Sequence, residues 1–80
     1  MRLTKRGWHF LQSREITSYP IELKERMLPI HLLNLERYIQ YPYYIHTLTH
    51  ISVFDEVTAV MLALNSNNLG KYLKDLKENQ

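Results

Sequence analysis

Apolar residues recur along most of this chain at helical spacing, and the breaks in that rhythm fall at proline, asparagine and serine. Residues 5–14, entered at Thr4, put Trp8 and Leu11 on one side of a short helix, although the alternation through Trp8 and Phe10 would also suit a strand. Thr17 to Pro20 reads as a turn. Pro20, whose missing N–H is no loss at a first helical position, then opens a helix through Ile21, Leu23, Met27 and Leu28. Pro29 kinks or ends that helix, and Ile30, Leu33, Leu35, Tyr38 and Ile39 carry the next one until Pro42 closes it.

Residues 43–51 are rich in aromatic and β-branched types, yet Tyr44, Leu48 and Ile51 also keep a helical spacing. Helix and strand stay open there. Ser52, with Asp55 three residues on, has the form of a capping arrangement. It introduces a broad apolar stripe of Val53, Phe54, Val57, Val60, Met61 and Leu64, which stops at Asn65, Ser66, Asn67 and Asn68. A last helix turns Leu69, Tyr72 or Leu73, and Leu76 inward, and Lys71, Lys74, Asp75, Lys77 and Glu78 outward. The fold expected from these patterns is all-α, or mainly α: one small helical domain over residues 1–80.

Length narrows what such a domain can be, since 80 residues leave room for one core and a thin margin of stability. Small domains often recover that margin with disulfides, a metal or a partner subunit, and the chain has no cysteine. A homo-oligomer is therefore expected. No apolar run approaches the roughly 20 residues of a membrane helix, and polar residues from His9 to Glu15 break any leader-like core. The expected location is cytoplasmic, away from the membrane.

Net charge is only +2, but residues 1–14 hold Arg2, Lys5, Arg6 and Arg14 with no acid before Glu15. That basic end suits phosphate or an acidic partner. The stretch from Asp55 to Lys74 adds a pattern to the charge. It has a small residue, Ala59, inside the first helix; Ala63 at the turn; and apolar anchors Leu62, Leu64, Leu69 and Tyr72 around it. On those residues it resembles the helix-turn-helix of phage repressors and related bacterial regulators. The resemblance implies a recognition helix in the major groove of double-stranded DNA, with Ser66, Asn67, Asn68, Lys71 and Lys74 facing bases and phosphates. The basic amino end, through Arg2, Lys5 and Arg6, is expected to add charge to such a contact.

Other constellations are thinner. His46 and His50 would share a face, but two ligands without cysteine or a His-Glu-x-x-His pattern do not make a zinc centre, so neither metal nor cofactor is expected. Tyr38, Tyr41, Tyr43 and Tyr44 could stack bases, yet no basic residues interleave them, which favours a core rim or interface. No phosphate loop or paired nucleophile and base is present, so an enzyme is not expected. The function expected first is a small DNA-binding regulator. The alternative is a helical adaptor or inhibitor that works through protein contacts.

Overall fold

The computed structural model describes residues 1–79 and corrects the all-α expectation: the chain is an α+β protein. Its elements run α1 (Lys5–Ser13), β1 (Tyr19–Glu22), α2 (Pro29–Tyr38), β2 (Tyr43–Thr47), β3 (His50–Val53), α3 (Glu56–Leu64) and α4 (Leu69–Glu78). The strands form one antiparallel sheet in the order β1-β3-β2.

The helix expected from Pro20 is instead strand β1. Tyr19 and Ile21 alternate with Pro20 and Glu22, and pairing with Val53 and Ile51 of β3 puts both apolar side chains against the core. Pro20 survives there because an edge strand can spare an N–H. The ambiguous residues 43–51 resolve into the β2–β3 hairpin, with Leu48 and Thr49 as its turn and an irregularity in register at His46. Val53, read as the start of a helical stripe, ends β3, and Ser52 is a buried strand residue rather than a cap. The cap belongs to Asp55, whose Oδ2 accepts from the Thr58 amide at 2.9 Å and the Thr58 hydroxyl at 2.8 Å.

One face of the sheet, made by Tyr19, Ile21, Tyr43, Ile45, Ile51 and Val53, is packed with side chains from the helices that follow β1. Leu35 and Ile39 of α2 and its C-cap, Ala59 and Leu62 of α3, and Leu69, Tyr72 and Leu73 of α4 complete this core. The connection from β1 to α2 is tied down rather than loose. Leu23 donates to the Thr49 carbonyl at 2.7 Å and Met27 to the Leu48 carbonyl at 2.8 Å, so their buried side chains are held under the hairpin turn.

The opposite face is covered by α1 through aromatic contacts. Trp8 stacks on Tyr44 at 5.0 Å, meets the His46 ring edge-on at 4.9 Å and leans on Phe54 at 5.9 Å. His46 Nε2 lies 2.8 Å from the Ser52 hydroxyl on the same face. Thr4 caps α1 as its sequence suggests, its hydroxyl accepting from the Gly7 amide at 3.1 Å. The helix ends with Glu15 donating to the Gln12 carbonyl and Ile16 to the Leu11 carbonyl, a Schellman closure with Glu15 itself at φ 58°. Upstream, the backbone around Arg2 runs parallel to β2 at Tyr43, and Glu36 Oε2 joins the two: it accepts from the Arg2 amide at 3.1 Å and the Tyr43 hydroxyl at 2.9 Å.

Candidate functional site

Helix α3 has the composition of a buried helix, Glu-Val-Thr-Ala-Val-Met-Leu-Ala-Leu, with a single charge at its start. A helix that is apolar on all sides normally lies inside a protein. Here only one side does. Thr58, Ala59 and Leu62 face the core, while Val57 is 70% exposed, Val60 51%, Met61 37% and Leu64 72%. These four stand at i, i+3, i+4 and i+7, which makes them one continuous row two turns long. Single exposed apolar residues are ordinary, and an uninterrupted row of them is not.

The row borders a groove of about 480 Å³ between α3, α4 and the end of α2. Val57 and Met61 form its α3 wall, Tyr72 and Leu76 its α4 side, and Tyr38 and Tyr41 its far end. Asp55 lies at its rim. Burial raises the Tyr72 phenol above its ordinary pKa, and the nearby Asp55 carboxylate adds to that, so the hydroxyl stays neutral and able to donate. The groove therefore combines apolar walls with polar groups from Gln40, Asp55, Thr58 and Asn79.

The residues expected to contact DNA are placed apart. Lys71 and Lys74 are exposed on α4, but Asp75 and Glu78 are exposed on the same helix. Asn67 is exposed; Asn68 is the α4 cap, its Oδ1 accepting from the Lys71 amide at 3.3 Å. Ser66 is buried and its carbonyl accepts from the Lys24 amide at 2.9 Å, so it presents no face to a groove of DNA. Lys5 and Arg6 sit on α1, across the sheet from α4, and Arg2 lies beside the start of β2. Of the apolar anchors that carried the helix-turn-helix resemblance, Leu62, Leu69 and Tyr72 are buried, whereas Leu64 is open to solvent. Helix α4 packs chiefly on α2 and less on α3.

The tyrosines are dispersed too. Tyr43 is buried with its hydroxyl on Glu36, Tyr44 is stacked under Trp8, and Tyr38 and Tyr41 border the groove. His46 bonds Ser52, and His50 Nδ1 lies 2.8 Å from the Thr49 hydroxyl and 3.1 Å from that of Thr47. Among the described residues no three histidine or carboxylate side chains gather as metal ligands, and no helix is long and apolar enough to cross a membrane.

The sequence carried a signal for the exposed row of α3, but with the opposite sense. Val57, Val60, Met61 and Leu64 share one stripe about 100° wide, the form of a buried face, and the structure turns it outward while Thr58, Ala59 and Leu62 face the core. The aromatic cluster on the other face had none, because Trp8, Tyr44, His46 and Phe54 meet only through tertiary pairing. No protein-family model, curated protein or solved structure matches the chain.

Proposed function

We propose that the protein is a protein-binding module, which docks its partner on the outer side of α3 and the groove beside it. The observation that carries this is the row Val57, Val60, Met61 and Leu64, exposed on a helix that carries only one charged residue. Leaving such a row in water gives up the roughly 25 cal/mol per Å² that its burial would return. Covering it with another protein recovers that energy, and the polar rim of Asp55 and Tyr41 fixes orientation.

The helix-turn-helix reading draws less support. The first helix of that motif crosses the phosphate backbone, where hydrogen-bond donors are needed, and Val57, Val60 and Leu64 supply none. The basic residues of α1 lie across the sheet from α4, so one DNA duplex against α4 would not meet them.

A photoreactive residue placed at Leu64, compared with one at Lys74, tests the proposal in the expressing cell. Discrete protein adducts from position 64 that vanish when Val60 is changed to Lys are expected. Adducts from position 74 alone, together with duplex DNA binding whose affinity falls steeply with salt, would replace this reading with the DNA-binding one.

A further inference from the structure

Resting on that docking face, we infer that its occupant is a second copy of this chain, with the two α3 helices packed antiparallel about a two-fold axis near Val60 and Met61. The ends of the row differ in shape. Leu64 at the carboxyl end and Val57 at the amino end are about equally exposed, but Leu64 is the larger side chain and does not line the groove, whereas Val57 is also a wall of it. Seven residues separate them, about 10 Å along a helix at 1.5 Å per residue. Antiparallel pairing about the middle of the row sets each Leu64 against the partner's Val57, with its side chain at the mouth of the partner's groove. A single chain thus carries both the projection and the hollow, as a self-complementary two-fold interface requires. Parallel pairing would set Leu64 against Leu64 and leave both grooves empty.

Charge selects the same orientation. The amino end of α3 bears Asp55 and the exposed Glu56, and no basic residue lies in its last turn. Near the carboxyl end the backbone N–H of Lys24 donates to the Ser66 carbonyl at 2.9 Å, which places this exposed lysine there with the exposed Glu25 beside it. In the antiparallel pair each acidic end faces the partner's Lys24; in a parallel pair acid faces acid. A stable interface takes about 800 Å² from each partner, more than two helical turns supply. The groove rim with Tyr38 and Tyr41 must therefore be covered as well.

The chain has no cysteine, so a disulfide can report the register without interference. Full-length Val57→Cys and Leu64→Cys proteins are mixed, equilibrated and oxidised, and sedimentation of the unmodified chain is followed from nanomolar to tens of micromolar. We expect a species of twice the 9.7 kDa chain mass and mixed 57–64 disulfides in excess of either like pair. Leu64→Lys, at a position outside the core, should weaken association by at least about tenfold. Glu56→Lys and Lys24→Glu should each weaken it, and the double exchange should restore it. Thermal melts of each variant confirm that the fold is intact. A chain that stays monomeric while position 64 still gives adducts with a different protein would overturn the second copy and keep the docking face. A monomer with no adduct from position 64 would overturn both. A dimer dominated by like-pair disulfides, or one indifferent to Leu64→Lys, would overturn the antiparallel arrangement.

Discussion

The two faces of the sheet are held in different ways. On one, aliphatic side chains from α2, α3 and α4 interdigitate around Leu35, Leu62 and Leu73, each fully enclosed. On the other, α1 has no fully buried residue and rests on one tryptophan stacked against Tyr44, His46 and Phe54. Dispersion spread over many neighbours makes a cooperative unit, whereas a few ring contacts make a separable one. On these contacts α1 is expected to open at a lower free-energy cost than the rest of the molecule.

The largest effect that tests this contrast is expected on the enclosed side. Leu35→Ala, at a position with no exposure, should lower global stability by about 2 to 5 kcal/mol in urea unfolding. A loss no larger than that of a surface change would mean the core is not where these contacts place it. Trp8→Ala should cost about 1 to 3 kcal/mol from its lost ring pairs. Hydrogen exchange should then show the α1 amides unprotected while those of α4 keep theirs. Equal loss of protection in both helices would erase the distinction between the faces.

A smaller change should strengthen α1. Glu15 occupies the left-handed position of the Schellman closure, where a side chain is strained and glycine is not. Glu15→Gly should gain about 0.5 to 1 kcal/mol, the relief of strain less the added freedom of the unfolded chain. Slower exchange confined to α1 would show it; a loss of stability would show that Glu15 is not strained there.

The subtlest test uses pH at Glu36, the carboxylate that ties the segment leading into α1 to the enclosed face. The Tyr43 hydroxyl first, and then the Arg2 amide, hold its pKa below the ordinary carboxylate value. A lowered value means this stabilisation is whole above about pH 4.5 and is lost as pH falls through the folded value. Burial first, and then Glu36, raise the Tyr43 phenol, so its share is whole below about pH 10 and is lost as pH rises further. Melting temperatures of the protein and of Glu36→Gln should therefore converge in acid. A constant difference between them would remove Glu36 from this role.

Local chemistry was legible in the sequence where it acts locally. Thr4 as a cap, Pro29 as a start, the asparagine-rich stop after Leu64 and the inward set of α4 all depend on neighbours within a turn. The sheet was not legible, because Tyr19 and Ile21 acquire their partners from Val53 and Ile51, some thirty residues away. Pro20 read as a helix start for a sound local reason that tertiary pairing overrode. For the candidate site, Val57, Val60, Met61 and Leu64 were visible as apolar, but which of them face outward depends on where β1 and β3 receive α3.

The proline in β1 has a bearing on how copies of this molecule can add to one another. A sheet with an open rim can recruit strands without limit, and a protein that also exposes an apolar helix is a candidate for fibre growth. Here Pro20 offers no N–H at the β1 rim, and at the β2 rim Tyr43 is already engaged by the backbone of Met1 and Leu3. Strand-by-strand growth is obstructed at both margins, which keeps this sheet at its three strands when copies of the chain meet.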